Sequence, residues 1–286
     1  MIDTHQHFWR YTNAEYGWID DTMGALRRDF LPADAEREMA AAGVHASIAV
    51  QARQSVDETK WLLELAEDNP FIAGVVGWVN LQGPEVDEQL EYFARYPRLV
   101  GVRHIVQGEP DGFLERPAFR HGVGRLERYG LTYDILVYAR QLGAAVEFAR
   151  AFPRQRFVLD HLGKPDVRGD GYSDWRRHFD RMAALPNVCC KLSGLVTEAD
   201  WDSWTQPQMR PYIDAALEAF GPSRLMIGSD WPVCTLAASY AEVIDLMREA
   251  VSEYSESEQA QMLEGTARDF FHLKVEATGN HKKEPL

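Results

Sequence analysis

Short apolar runs alternate with amphipathic stretches along nearly the whole of this 286-residue chain, and this alternation constrains its fold more than any other feature. Eight runs have the length and composition of buried strands; they cover residues 2–7, 46–51, 72–79, 100–105, 132–137, 156–160, 188–192 and 225–229. Helical periodicity follows each run, over residues 34–42, 55–69, 84–94, 117–128, 141–151, 174–184, 207–220 and 239–253. Prolines near helix starts (Pro84, Pro117) and glycines just past helix ends (Gly43, Gly130) agree with these limits.

Eight strands, each followed by a helix, predict a single-domain (β/α)₈ TIM barrel. A doubly wound open sheet is the alternative fold, but it usually carries a glycine-rich phosphate turn after its first strand, and none follows here. A further helix over residues 257–271 is expected to close the chain. We therefore predict that the barrel spans residues 1–275 and that residues 276–286 form a frayed tail.

The bulk composition excludes several classes of partner. A formal net charge of −14 argues against nucleic acid and against anionic membrane surfaces, since both require clustered Lys and Arg. Only three cysteines are present, and two of them are adjacent, so no disulfide framework is expected. The chain shows no secretory signal and no apolar run long enough to span a membrane, which predicts a cytoplasmic protein.

His5 and His7 stand one residue apart at the end of the first predicted strand. Alternate side chains of a strand project to the same face, so the two imidazoles can converge on one point. Imidazole is a good zinc ligand and a usable proton carrier. Asp230 ends the eighth strand, which neighbours the first in a closed barrel. By residue type and position, His5, His7 and Asp230 are candidates for metal binding or proton transfer; the alternatives are structural histidines and an Asp that caps a helix.

The other strand ends also carry polar groups, which are costly to bury unpaired and which a purely structural barrel does not need. They include Gln51, Trp78, Arg103, His104, Asp134, Asp160, His161, Lys191 and Ser193. Arg103 and His104 are adjacent, so only one of them can face the barrel axis, and the sequence does not decide which. Asp134 is as well explained as a buried partner of Arg103, and Lys191 either lies along apolar surface or balances nearby carboxylates. Lys164 is interpreted as a solvated loop residue.

Five sequence blocks, taken together, resemble a known family. They are HQHFW at residues 5–9, GVRH at 101–104, LDHLGKP at 159–165, CKLSGL at 190–195 and GSDWP at 228–232. These blocks are similar to the sugar-lactonase branch of the amidohydrolase superfamily, above all to L-fuconolactonases and next to L-rhamnonolactonases. The resemblance extends to about Phe271 and is most specific in the last two blocks.

This resemblance implies a TIM-barrel hydrolase that opens an aldonolactone to the open-chain aldonate. In the superfamily the first-strand histidines and the eighth-strand aspartate bind a divalent metal, and the aspartate accepts a proton from the attacking water. The fifth strand here, residues 132–137, offers neither His nor Lys, where many members supply a metal ligand. We therefore expect at most one weakly bound zinc ion, and this ion need not be required for activity.

The predicted mechanism assigns proton abstraction from water to Asp230. The developing oxyanion is expected to be stabilised by some of His5, His7, Arg103, His104 and His161, or by a weakly bound zinc ion. The protonated Asp230, or a neighbouring His, is then expected to return a proton to the leaving ring oxygen. The predicted substrate-binding residues are Gln51, Trp78, Asp134, Trp9 and Trp18. The last two belong to a long aromatic loop, residues 8–30, which is expected to cover the barrel mouth and to serve partly as packing.

Two other functions compete with a cytoplasmic lactonase. One is a zinc-dependent hydrolase or decarboxylase of the same superfamily that acts on a planar carboxylated substrate, although the missing fifth-strand ligand counts against it. The other is a barrel that binds sugar acids without turning them over. The expected partner is a small-molecule sugar lactone, and the expected assembly is a monomer or a small homo-oligomer.

Overall fold

A computed structural model of the chain describes residues 1–274 and contains the predicted barrel. Eight parallel strands follow one another around a single sheet in chain order. They are β1 Ile2–Gln6, β2 Ala46–Val50, β3 Ile72–Gly77, β4 Leu99–His104, β5 Thr132–Ile135, β6 Phe157–Leu159, β7 Val188–Leu192 and β8 Leu225–Ile227. Each observed strand falls inside its predicted range, except that β4 begins one residue earlier, and the predicted ranges extend at most two residues past the observed ends. This agreement confirms the (β/α)₈ fold.

The barrel closes between the residues that follow β8 and the strand β1. Asp230 N donates to His5 O at 2.9 Å, and His7 N donates to Trp231 O at 2.7 Å. The Thr4 hydroxyl donates to Ile227 O at 2.8 Å. This closure brings the first and last strands side by side, as the distribution of His and Asp in the sequence predicted.

Helices surround the barrel and connect its strands. They are α1 Pro32–Ala41, α2 Val56–Asp68, α3 Val86–Phe93, α4 Pro117–Leu126, α5 Leu142–Arg150, α6 Tyr172–Ala183, α7 Leu195–Glu198, α8 Gln206–Phe220, α9 Tyr240–Val251, α10 Glu256–Ala260 and α11 Thr266–Phe270. Ser55 and Ser239 cap α2 and α9, where their hydroxyls accept hydrogen bonds from backbone N–H groups of the first turn. The short helix α7 was not predicted, since four residues are too few for a periodic pattern.

The barrel interior is apolar near the amino ends of the strands and charged above them. Ile2, Ile48, Val158 and Met226 belong to one buried cluster inside the barrel. Phe271 packs into the same cluster, so the segment after α11 covers this end of the barrel. The helix predicted over residues 257–271 is observed as α10, a π-helical turn at Gln261–Gly265 and α11. The tail predicted for residues 276–286 lies outside the described residues, and the domain limit at residue 275 stays a prediction.

Candidate active site

The site is built around the Asp230 carboxylate, at the carboxyl end of the barrel. Asp230 Oδ1 lies 3.3 Å from His7 Nε2, 3.7 Å from His5 Nε2 and 3.9 Å from His161 Nε2. Asp230 has a positive φ of 60°, a conformation that is costly for a non-glycine residue and that recurs at functional sites. One ligand atom from each of His5, His161 and Asp230 falls within 4.8 Å of the others, which makes a candidate metal site.

His7 lies beside this cluster, and its ring adds a further candidate ligand for a divalent cation such as zinc. His7 Nδ1 lies 2.8 Å from Val50 O, so it carries the ring proton and donates it to that carbonyl. The lone pair of His7 Nε2 therefore points at an oxygen of Asp230, and both atoms are hydrogen-bond acceptors. A cation or an additional proton between them would satisfy both, and the backbone contact that orients the imidazole is typical of metal-binding histidines.

Burial and mutual contact set the protonation states of the site. Burial lowers the pKa of His5 well below its ordinary value and that of His161 to about 4, so both imidazoles are neutral at neutral pH. Burial alone would raise the pKa of Asp230, but the neighbouring histidines, His161 foremost, hold it below its ordinary value. An ionised carboxylate among neutral imidazoles suits both metal binding and proton abstraction from water.

Arg103 extends from β4 into the barrel and contacts the site from below. Its Nη1 lies 2.9 Å from Asp160 Oδ2 and 3.1 Å from His5 Nε2. Its Nη2 donates to the backbone and side-chain oxygens of Gln51. The Nε–H group of Arg103 is buried and has no hydrogen-bond partner among residues 1–274. Four contacts thus fix the guanidinium, and one buried N–H group stays without a partner in the described residues.

Lys191 lies in the barrel interior next to Asp160, the carboxylate that Arg103 also contacts. Its ammonium lies 2.5 Å from Asp134 Oδ2 and 3.0 Å from Asp160 Oδ1, and all three side chains are fully buried. Burial raises the pKa of Asp134 to about 6 despite the attraction of Lys191. These contacts decide between the alternatives left open by the sequence: Lys191 balances carboxylates, and the ion-pair partner of Asp134 is Lys191 and not Arg103.

A cavity of about 170 Å³ opens above Asp230 at the mouth of the barrel. It is lined by His7, Trp18, Ala52, Arg103, Ile105, Gln107, Leu136, His161, Lys164, Asp230 and Val233. Apolar walls with a few converging polar groups suit a small polar ring. A wider groove of about 720 Å³ lies on the outer surface beside α6 and α8, but none of the groups described above lines it.

The structure separates the adjacent residues Arg103 and His104. Arg103 lines the cavity, whereas the His104 ring stacks on Phe113 at 4.8 Å between the barrel and its outer layer. His104 Nε2 lies 2.9 Å from Glu109 Oε1, and the Trp78 indole donates to His104 Nδ1 at 3.3 Å. The prediction that His104 is catalytic and that Trp78 binds substrate therefore lacks support, because successive residues of a strand face opposite sides.

Three other predicted substrate-binding residues also lie away from the cavity lining. Gln51 holds Arg103, and Asp134 is sealed below with Lys191. Trp9 is fully buried, and its indole donates to Arg28 O at 2.9 Å. Trp18 lies in the same loop and does line the cavity. The loop of residues 8–30 is thus packing at its base and cavity wall at Trp18, in agreement with the mixed role expected for it.

Three residues of the site were given no catalytic or binding role from the sequence. Lys164, interpreted as a solvated loop residue, lines the cavity and pairs with Glu198 Oε1 at 3.0 Å. Gln107 also lines the cavity, and its buried Oε1 lacks a hydrogen-bond partner among the described residues. Ser193 lies 2.9 Å from His161 Nδ1. The only sequence signal for Lys164 was its place in the LDHLGKP block.

Comparisons with known proteins agree with this architecture. The amidohydrolase family matches residues 2–273. The chain belongs to the amidohydrolase family. A curated L-fucono-1,5-lactonase of Burkholderia multivorans is 47% identical to this amidohydrolase over 284 residues, which cover 95% of this chain and 96% of the relative. A second L-fucono-1,5-lactonase, from Burkholderia ambifaria, is 37% identical over 84% of this chain and 83% of its own.

A solved structure resembles this amidohydrolase over almost its full length. It is an amidohydrolase from Burkholderia multivorans with bound zinc, 46% identical, with a TM-score of 0.92 and coverage of 95% of this chain and 99% of that one. The family and the cluster of His5, His161 and Asp230 together give this amidohydrolase a candidate metal site. Within residues 1–274, none of the helices combines the length and the apolar character needed to cross a membrane.

Proposed function

We propose that this amidohydrolase hydrolyses a sugar-acid lactone of the L-fucono-1,5-lactone class to the open-chain aldonate. Two relatives that are 47% and 37% identical over most of the chain carry the name L-fucono-1,5-lactonase. The observation that carries the proposal is the ionised Asp230 carboxylate at the base of a cavity of about 170 Å³, which is of the size of a single sugar ring. The same carboxylate is placed to activate a water molecule.

Asp230 takes a proton from water, and the water oxygen attacks the lactone carbonyl carbon. Negative charge then develops on the carbonyl oxygen. The Arg103 side chain lines the cavity, and its Nε–H group is buried and has no partner among residues 1–274. This N–H group supplies a donor for the carbonyl oxygen. Its guanidinium is already held by Gln51 and Asp160, so little reorganisation is needed as charge develops.

Gln107 contributes to recognition of the sugar. Its Oε1 is a hydrogen-bond acceptor without a partner in the described part of the chain, and the residue lines the cavity. A hydroxyl group of the lactone can donate to this oxygen. Trp18 offers an apolar ring surface on the same cavity, and sugars present apolar C–H faces to such rings.

One weakly bound zinc ion would be held by His5, His7 or His161 together with Asp230. When bound, it would act as a Lewis acid that polarises the lactone carbonyl. The chain's own residues supply the remaining functions: Asp230 holds the abstracted proton, and Arg103 donates to the oxyanion. The proposal therefore includes activity that survives chelation at least in part.

The test is a pH-indicator assay with a panel of aldonolactones, run with chelator and again with added zinc. We expect acid release from L-fucono-1,5-lactone, and we expect Asp230→Asn to lower kcat by roughly 10²–10⁴-fold while the protein stays folded. Asp174→Asn is the matched control, because this carboxylate is 83% exposed on α6. Wild-type turnover by the Asp230 variant would refute its role as the base, and a panel without any turnover would refute the lactonase function.

A further inference from the structure

The segment after β6 has an unusual backbone that places two side chains over the cavity. His161, Leu162 and Lys164 have φ values of 51°, 54° and 48°, and Gly163 between them has a φ of 70°. Lys164 N donates to His161 O at 2.8 Å, which closes a left-handed turn with the spacing of a 3₁₀ helix. Residues three apart in such a turn lie on the same side. The turn therefore presents Lys164 beside His161.

Left-handed conformations of non-glycine residues are unfavourable, and they persist where the surrounding structure enforces them. Here the surroundings hold both ends of the turn. Ser193 contacts His161 Nδ1 at 2.9 Å, and Glu198 contacts Lys164 Nζ at 3.0 Å. Both partners belong to the segment that follows β7, so one neighbouring loop fixes the imidazole and the ammonium together.

The Lys164 side chain is largely shielded from solvent and belongs to the lining of the catalytic cavity. Its side chain is only 17% exposed, and it lines the same cavity as Asp230. Glu198 Oε1 lies 3.0 Å from Lys164 Nζ, and an ion pair of this geometry favours the charged ammonium. The cavity of about 170 Å³ is small enough for one sugar ring to contact opposite walls at once. A lactone placed against Asp230 therefore also meets Lys164.

We propose that Lys164 is a further catalytic residue, which donates a proton to the ring oxygen of the lactone as it leaves. This inference rests on the proposed lactonase function. Water attacks the carbonyl carbon from above the plane of the ester, whereas the ring oxygen lies within that plane. A second proton donor in the cavity lining can therefore serve the ring oxygen while Asp230 serves the attacking water.

The step balances as follows. The water oxygen forms a bond to the carbonyl carbon while Asp230 accepts one proton. The tetrahedral intermediate then breaks its bond to the ring oxygen, which takes the proton of the Lys164 ammonium and becomes a hydroxyl group. The neutral amine recovers its proton from Asp230 through the water that replaces the product. The sum is one lactone and one water converted to one hydroxy acid.

Lys164→Gly tests this assignment, because glycine accepts a φ of 48° without strain and leaves space for a small amine. With L-fucono-1,5-lactone, we expect kcat to fall by roughly 10²–10⁴-fold and KM to change far less. Methylammonium should restore part of the lost kcat, whereas tetramethylammonium, which has the same charge and no N–H group, should not. Lys164→Arg should stay slow, since a guanidinium keeps its proton. Lys164→Ala carries the same measurements if the glycine variant fails to fold.

Each other outcome overturns the inference in a distinct way. A raised KM with an unchanged kcat assigns Lys164 to sugar binding. Equal restoration by the two cations, or a fast Lys164→Arg variant, assigns it a role through charge alone. An unchanged kcat in the glycine variant, or no restoration by methylammonium, excludes Lys164 as the proton donor. If the wild-type enzyme opens no aldonolactone, the proposed function fails, and that result is separate from all of these.

Discussion

Replacement of Lys191 by Met should destabilise the protein strongly, and the loss should depend on pH. The Lys191 ammonium is fully buried between Asp134 and Asp160, at 2.5 and 3.0 Å. Asp160 would keep its contact with Arg103 at 2.9 Å. Asp134 would keep only a long contact of 3.4 Å with the Thr132 hydroxyl. The variant therefore leaves one buried carboxylate without a compensating charge.

Removal of one partner from a buried ion pair costs about 3–5 kcal/mol in the free energy of unfolding. For a domain of this size, such a loss corresponds to a fall in Tm of roughly 6–20 °C. The pKa of Asp134 is already raised to about 6, mainly by burial, and loss of the Lys191 attraction raises it further. Since the folded variant then binds a proton that the unfolded chain releases, it loses stability as pH rises. The deficit relative to wild type should be large at pH 8 and smaller at pH 5.

Thermal unfolding of both proteins at pH 5 and pH 8 measures this deficit. Lys60→Met is the matched control, since this lysine is 46% exposed on α2, and its replacement should change stability by no more than about 0.5 kcal/mol. The double variant Lys191→Met with Asp134→Leu should recover most of the loss, because both charges are then gone. A loss below about 1 kcal/mol at pH 8, or a deficit of equal size at both pH values, would refute this account.

Three further outcomes follow from the structure. His104→Ala should leave kcat near wild type, since the contacts of His104 are to Trp78 and Glu109 outside the cavity. Loss of these contacts should lower the free energy of unfolding by about 1–3 kcal/mol in denaturant unfolding. A large loss of kcat would contradict the placement of His104. Burial raises the pKa of Glu58 from 4.5 to about 7, so the folded protein holds a proton that the unfolded chain releases. The free energy of unfolding should therefore fall as pH rises between these two values. A Glu58→Gln variant whose Tm depends on pH in the same way as that of the wild type would rule this out. Arg103→Met should bind zinc more tightly in chelator competition, and weaker binding would show that the guanidinium does not oppose the metal.

The fold was predictable because its pattern repeats. Eight apolar runs at regular spacing, each followed by a helical period, leave few alternatives to a barrel. Irregular segments carried no such pattern. The helix Leu195–Glu198 and the left-handed turn at His161 have no periodicity, and their shape depends on contacts with neighbouring loops. Propensity and pattern describe local preference, and tertiary contacts decide these segments.

The site residues that stand at strand ends were predictable. Those whose role depends on side-chain orientation, or on contacts between loops, were less so. The convergence of His5, His7 and Asp230 followed from barrel topology alone. The sequence could not choose between Arg103 and His104, because the choice depends on the register of β4 relative to the barrel axis. Lys164 was misjudged for another reason: its partner Glu198 is 34 positions away in a different loop, and only the folded chain brings the two together.

The charges inside the barrel give a physical reason for the proposal that metal binding at the candidate site is weak. Arg103 and Lys191 supply two positive charges in the interior, against the carboxylates of Asp134, Asp160 and Asp230. One negative charge is then left over when the imidazoles are neutral, and it favours a cation near Asp230. However, Arg103 Nη1 already donates to His5 Nε2 at 3.1 Å, so a zinc ion that uses this nitrogen has to displace a positively charged donor. The guanidinium and the metal thus compete for one lone pair, and the same guanidinium offers the oxyanion a donor whether or not zinc is bound.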